Sequence, residues 1–398
     1  MIEDQLSHRM QNIPFSNIRH VFERVAELQS QGRTPAPFHI GQPDFDTPEH
    51  IKQAAKDALD RGMTAYTSNY GLPALRAAIA EKLFHDNNIQ VDPDQQILVT
   101  IGTNEAIWLA MLATLNPGDE VLIPNPSWMH YRYCAQLAGA RVIDVPLREQ
   151  NKYQLDPDDL ARFWTPRAKM LVLNTPHNPT GVVFSLETIN AIANFVAERD
   201  LLLLSDEIYE KIIYDDQVHY SPGAIEAIKD RTITVNGFSK AYAMTGWRIG
   251  YAAAHPHLTG AMVRVHQYTN ICATAFAQAG ALAALRGSQE CVSQMVAEFD
   301  LRRKFVITRL QPLEGVNFIP PQGAFYVFVN FSFLNNCSEE VAQLLLEQAN
   351  VAVVPGRAFG SYGEGWIRLS FACSLAYLKS GLAAITSFVE QKLPNSIR

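Results

Sequence analysis

Residues 201–209 read Leu201-Leu202-Leu203-Leu204-Ser205-Asp206-Glu207-Ile208-Tyr209. Four leucines in a row offer no polar face, so the run predicts a strand covered on both sides. Strands of that kind belong to parallel sheets sheathed by helices. The pattern recurs in both directions along the chain. Ile97-Leu98-Val99-Thr100-Ile101, Glu120-Val121-Leu122-Ile123-Pro124, Met170-Leu171-Val172-Leu173-Asn174 and Thr232-Ile233-Thr234-Val235 are further buried-strand runs. Helical patterns such as 105–115 and 185–200 separate several of them.

The two ends differ from this middle. Residues 1–45 carry one amphipathic stretch, 13–29, and a Pro/Gly-rich connector. From about residue 295 a helix leads into short strands at 324–330, 351–354 and 366–370, and then into a terminal helix. The expected fold is therefore α/β. A large domain, residues 46–294, holds a mostly parallel sheet sandwiched by helices, and residues 1–45 and 295–398 together form a smaller α+β domain. No internal repeat or low-complexity tract interrupts this plan.

Composition narrows the class. The 398 residues are 47% hydrophobic and 18% charged, as in soluble globular proteins. With 33 Lys+Arg against 40 Asp+Glu, the net charge of −7 gives no basic footprint for nucleic acid. No apolar run reaches the roughly 18 residues of a membrane span. His8, Arg9, Arg19 and Glu23 break up the N-terminal apolar positions, so no signal peptide is expected. Five Cys without a Cys-x-x-Cys pair predict reduced thiols and a cytoplasmic location.

In an open α/β sheet, ligands bind beyond the carboxyl ends of the strands. Four predicted strand exits carry unusual residues. Gly102-Thr103-Asn104 opens a helix, where it either caps the helix or cradles an anion. Asn174-Thr175-Pro176-His177-Asn178-Pro179-Thr180-Gly181 is a stiff turn, either self-capped or aiming Asn178 into the crevice. Asp206 follows four leucines, and a buried carboxylate there needs a cation or hydrogen-bond donors. Tyr209 lies about one helical turn further on. Lys240 follows a buried strand among small and apolar residues, where desolvation and a nearby cation lower an amine's proton affinity and suit Schiff-base chemistry. Arg248, eight residues on, suits a phosphate. One ligand needs this whole set: pyridoxal 5'-phosphate wants an amine for its aldehyde, a carboxylate for its ring nitrogen, and N–H groups with an arginine for its phosphate.

The segment Gly237-Phe238-Ser239-Lys240-Ala241-Tyr242-Ala243-Met244-Thr245-Gly246-Trp247-Arg248-Ile249-Gly250 resembles the cofactor-attachment motif of the class I pyridoxal-phosphate-dependent aminotransferases, which have fold type I. The likeness runs from Gly41-Gln42-Pro43-Asp44-Phe45-Asp46-Thr47-Pro48 to Arg368-Leu369-Ser370, nearest the aspartate/aromatic aminotransferases. It implies transamination between an L-amino acid (aromatic, aspartate or a broad range) and a 2-oxo acid such as 2-oxoglutarate, by a ping-pong cycle through a Lys240 Schiff base. In this resemblance Lys240 is the catalytic amine and Asp206 pairs with the pyridine nitrogen. Tyr209 and Asn178 bond the ring 3-oxygen, and Trp128 stacks on the ring. Thr103, Asn104 and Arg248 hold the phosphate. Arg368 clamps the substrate carboxylate, helped by the Gly41 backbone and flanked by Trp128 and Asn178. Tyr66 reaches the neighbouring subunit's phosphate, which implies a homodimer with shared active sites.

Two positions depart from the family pattern. Gly237 stands where many members have Ser or Thr, which either removes one phosphate contact or shifts it to Ser239. Asn104 stands where relatives preferring acidic substrates often have Lys, which favours aromatic or broad substrates. His130 and Tyr131 either line the substrate pocket or begin an amphipathic helix. His255-Pro256-His257 lacks a third ligand at sensible spacing, so no metal site is expected. The same residues would serve a cysteine-conjugate β-lyase, the nearest rival. A non-catalytic cofactor-binding regulator domain is the rival from another class, and it would need a DNA-binding extension.

Overall fold

The computed structural model describes residues 5–392. After a short strand β1 (Ala36–Pro37), the main sheet takes β2 (Ile97–Thr100), β3 (Glu120–Asn125), β4 (Arg141–Pro146), β5 (Ala168–Asn174), β6 (Leu202–Asp206), β7 (Thr232–Gly237) and β8 (Gly250–Ala253). Their order is β2-β8-β7-β6-β5-β3-β4. The pairs from β7 to β4 are parallel, while β8 runs antiparallel to both β2 and β7.

Helices cover both faces of this sheet. The helices up to residue 310 are α1 (Asn17–Ser30), α2 (Glu49–Asp60), α3 (Pro73–Asn87), α4 (Gly102–Thr114), α5 (His130–Leu137), α6 (Pro157–Phe163), α7 (Leu186–Glu198), α8 (Pro256–Thr269), α9 (Ala275–Arg286) and α10 (Glu290–Leu310), of which α1 and α10 pack with the chain-end elements instead: Val25 and Leu28 with Leu346 and Ala352, Phe299 and Val306 with Ile385. The leucine run explains the sandwich. Leu201 and Leu203 pack with Ile189, Ile192 and Val196 of α7, whereas Leu204 packs with Ile107 and Met111 of α4. Alternate residues of one strand thus enter two cores. Burying each leucine side chain is worth about 1.5–3 kcal/mol.

Two strands of the main sheet are not legible in the sequence, nor are the two-residue strands β1 and, near the chain end, Asn317–Phe318. β8 is Gly250-Tyr251-Ala252-Ala253, small residues with weak strand preference, and pairing on both sides imposes the extended state. β4 is an edge strand whose Arg141 is exposed and whose Asp144 is half-buried, so it carries no apolar run. Helix bounds also moved. α4 begins at Gly102, three residues before the predicted start, and α7 begins after Ser185, whose Oγ accepts the Thr188 N–H at 3.1 Å.

Towards the chain end lie β9 (Asn317–Phe318), β10 (Tyr326–Asn330), α11 (Ser338–Gln348), β11 (Val351–Ala352), β12 (Val354–Pro355), β13 (Trp366–Ser370) and α12 (Leu375–Lys392). An antiparallel sheet has the order β12-β13-β10-β9, and β11 pairs with β1. The run 351–354, expected as one strand, divides at Val353 because its halves pair with different strands. Ala36 and Phe38 share a core with Phe299, Phe331, Ile367 and Leu382, and that core reaches Ile208 and Tyr209. Residues from both chain ends therefore pack directly against the turn that follows β6. Among the described residues no helix is long and apolar enough to cross a membrane, and all five thiols are free.

Candidate active site

Asp206 ends β6 beside Asn174, its register partner on β5. Asn174 fixes the exit twice: Nδ2 donates to the Asp206 carbonyl at 3.0 Å, and Oδ1 accepts the Asn178 N–H at 2.9 Å. The Asp206 side chain is 1% exposed. Its Oδ2 accepts the Tyr131 hydroxyl at 2.7 Å and its Oδ1 accepts the Ile208 N–H at 3.2 Å. Burial raises its pKa to about 6, against the pull of those two donors.

Lys240 follows β7 and its Nζ donates to the Gly41 carbonyl at 2.7 Å. Burial first, and then the Arg368 charge, lower its pKa to about 8. The amine lies 5.6 Å from the Tyr209 ring centre and 5.8 Å from that of Phe325.

Arg368 sits on β13, which belongs to the other sheet, and is 3% exposed. Nη1 donates to Asn178 Oδ1 and Nη2 to the His39 carbonyl, both at 3.1 Å. Its guanidinium lies 4.3 Å above the Tyr326 ring. Nε is buried without a partner, so the arginine keeps a spare donor. Gly41 lets this corner close, since a Cβ there would stand 3.1 Å from the Tyr326 hydroxyl. Tyr326 and Tyr209 share a hydroxyl contact at 2.9 Å, and burial raises the proton affinity of both phenols.

At the opposite end, α4 begins at Gly102 with φ +74°, where an added Cβ would lie 2.4 Å from Arg248 Nη2. Only glycine lets the guanidinium approach this helix start so closely. Thr103 and Asn104 follow in the first turn. Glu105 Oε2 accepts the Ile101 N–H at 2.6 Å, which locks the turn. Arg248 Nη1 donates to the Thr245 carbonyl at 3.0 Å. Gly237 has a packing reason for departing from the family pattern. A Cβ there would press on Gly250 Cα at 3.0 Å and on the Thr103 methyl at 3.2 Å.

All the predicted site residues except Tyr66 line one cavity of about 400 Å³: Gly41, Thr103, Asn104, Trp128, Asn178, Asp206, Tyr209, Ser239, Lys240, Arg248 and Arg368. Tyr66 is 80% exposed and lies outside it. Both readings of residues 130 and 131 apply. His130 opens α5 and stacks on Trp128 at 4.7 Å, while Tyr131 lines the cavity. Tyr326, His39, Ile18 and Phe22 also line it, and no motif or spacing marks them. Tyr326 sits in an ordinary strand run, and Ile18 and Phe22 belong to an ordinary amphipathic helix.

His255 caps α8, its ring accepting the His257 N–H at 3.3 Å. Elsewhere, Glu207, Glu210 and His219 bring possible ligand atoms within 4.8 Å of one another. There the ammonium of Lys82 already pairs with Glu210, and Asn87 donates to the same carboxylate at 2.6 Å.

Comparison with known proteins agrees with this geometry. The family model for aminotransferase class I and II matches residues 35–385. An aspartate aminotransferase of Pyrococcus abyssi is 42% identical over 97% of this chain and 99% of its own. An aromatic-amino-acid aminotransferase of Thermococcus litoralis is 40% identical over the same shares. The solved structure of an aromatic aminotransferase from Pyrococcus horikoshii superposes with a TM-score of 0.88 at 41% identity, covering 94% of this chain and 99% of that one. A fold, a strand-exit site and a motif that all coincide over nearly the full length leave one assignment: the chain belongs to the class I and II aminotransferases.

Proposed function

We propose that the chain transfers an amino group between an L-amino acid, aromatic, aspartate or of broad range, and a 2-oxo acid, with 2-oxoglutarate as the acceptor, by a ping-pong cycle dependent on pyridoxal 5'-phosphate. The observation that carries this reading is one cavity holding an amine, a buried carboxylate and a buried guanidinium with a free N–H. The donor set fits the cofactor. The first turn of α4 with Arg248 suits its phosphate, Asp206 its ring nitrogen, and Lys240 its aldehyde. When bound, that group supplies an electron sink for the bond broken at the substrate α-carbon.

The chain's own residues do the rest. With the cofactor bound, the Lys240 amine would be the base placed to take the substrate's α-proton. With a pKa of about 8, its neutral form is accessible near neutral pH. Asp206, as an anion, would hold a proton on the ring nitrogen. Asn178 and Tyr209, which line the same cavity, would hold the ring's 3-oxygen, and Trp128 would offer its face to the ring. Arg368 binds the α-carboxylate through its fork, next to the Gly41 backbone. Thr103, Asn104, Ser239 and Arg248 hold the phosphate. Asn104 carries no charge, which supports aromatic or broad donors over strict acidic ones. Exposed Tyr66 and Tyr268, 80% and 87% accessible, support a homodimer in which Tyr66 serves the partner's phosphate. In the same reading, residues 46–294 form one domain, residues 1–45 with 295–398 form the other, and the free thiols support a cytoplasmic setting.

A panel of donors (Asp, Glu, Tyr, Phe, Trp, Ala, kynurenine) with 2-oxoglutarate, assayed with added pyridoxal phosphate, tests the proposal. Turnover should require the oxo acid and vanish in Lys240→Ala, together with the visible absorbance of the loaded protein. Full activity in that variant, or turnover only as pyruvate release from a cysteine conjugate, would refute it.

A further inference from the structure

Tyr131 lines the cavity beside Asp206 and meets its carboxylate directly. Its hydroxyl donates to Asp206 Oδ2 at 2.7 Å, and both side chains are 1% exposed. The other oxygen, Oδ1, takes the Ile208 N–H at 3.2 Å. The Tyr131 ring also meets Trp128 edge-on at 5.5 Å, so its position is fixed from two sides. A donor on a buried carboxylate stabilises the anion and makes it a weaker base. Two charges face Asp206 from nearby: Glu207 strengthens it as a base and Lys240 weakens it.

Resting on the reading that pyridoxal phosphate binds here, we propose that Tyr131 is a positioning residue that decides where the shared proton sits. By donating to Oδ2 it keeps Asp206 ionised and leaves the proton on the ligand's ring nitrogen. Without it, Asp206 is a stronger base and draws that proton to itself. The ring then loses its charge, and with it the capacity to accept electrons from the substrate.

Tyr131→Phe removes the donor and keeps the ring, and circular dichroism checks the fold. Pyridoxal phosphate labelled with ¹⁵N in the ring reports the proton directly by NMR. In the parent protein the nitrogen should give a protonated signal, and in Y131F the signal should move towards the unprotonated position. The kcat should fall about tenfold or more, while donor KM stays within about twofold. Tyr133→Phe, on the same helix, should change neither quantity. Tyr131→His retains an N–H donor and should recover part of the protonated signal. A nitrogen that stays protonated in Y131F overturns this inference alone, as does Y131H behaving identically to Y131F. A parent protein that binds no pyridoxal phosphate overturns both the inference and the function on which it rests.

Discussion

Arg368 connects the two halves of the chemistry, so its replacement makes a demanding test. Arg368→Gln removes a buried charge that meets Asn178 and the His39 carbonyl and holds Nε in reserve. A bidentate, charge-assisted pair with a substrate carboxylate contributes about 1.5–3 kcal/mol per hydrogen bond. Losing both bonds should cost about 3–6 kcal/mol in all, which raises KM at least roughly a hundredfold for every donor. The second effect is electrostatic. The Arg368 charge is the next cause, after burial, of the lowered Lys240 pKa of about 8. Only the neutral amine attaches the cofactor, so attachment speeds up as pH rises through that value. Without the Arg368 charge Lys240 holds its proton more tightly, and the profile should move to higher pH. Arg368→Lys separates the effects because it keeps the charge and loses the fork: KM should rise while the profile stays in place. Apoprotein mixed with pyridoxal phosphate in a stopped-flow instrument, across roughly pH 6 to 10, gives the profile, and steady-state assays give KM. An unchanged KM for all donors would refute the clamp, and identical profiles for the Gln and Lys variants would refute the coupling.

Three further outcomes follow from the geometry. Asp206→Ala should still bind cofactor through Lys240 and the phosphate groups, yet lose at least about a hundredfold in kcat, read in the donor assay. Gly102→Ala places a Cβ 2.4 Å from Arg248 Nη2 at φ +74°, so pyridoxal phosphate affinity should fall about tenfold in a fluorescence titration while the fold persists. The apoprotein should also show a pH signature of Asp206. Its folded pKa of about 6 lies above its ordinary value of 3.8, so the folded state binds the extra proton between those limits and loses stability as pH rises through that window. Asp206→Asn should remove this slope and leave the apoprotein more stable at pH 7 by up to about 3 kcal/mol in a denaturant titration.

The main sheet was legible where burial on both faces writes itself as an unbroken apolar run, as in Leu201–204 and 170–174. It was illegible where pairing alone makes the strand, as in β8, or where an edge admits charge, as in β4. The same division holds for the site. Lys240, Asp206, Asn178 and Arg248 follow strand exits, where a polar residue after an apolar run is conspicuous. Arg368 and Gly41 entered through family likeness, because nothing local marks a strand arginine as a clamp. Tyr131 and Tyr326 act through contacts across 75 and 117 residues of sequence, to Asp206 and Tyr209. Chain spacing carries no trace of such pairs: Tyr131 reads as a pocket wall or a helix start with no partner named, and Tyr326 as strand packing.

The turn after β6 shows how a single short segment can be both precise and rigid. Asp206, Ile208 and Tyr209 line the cavity. Glu207 and Glu210, alternating with them, enter a buried polar seam instead. Glu207 Oε2 takes the Ser221 hydroxyl at 2.5 Å and meets His219 Nε2 at 2.9 Å. Glu210 takes Asn87 Nδ2 at 2.6 Å and pairs with Lys82, and its pKa falls to about 2 against the cost of burial, chiefly through the Lys82 charge. Rotating the turn to misaim Asp206 would pull both glutamates from their partners. An unpaired buried charge costs about 3–5 kcal/mol, so that rotation is excluded at any useful population. Apolar residues in the seam would pack as tightly but would tolerate sliding, since dispersion has little direction. The carboxylates supply direction, and they transmit it through one peptide bond to the carboxylate that faces the ligand.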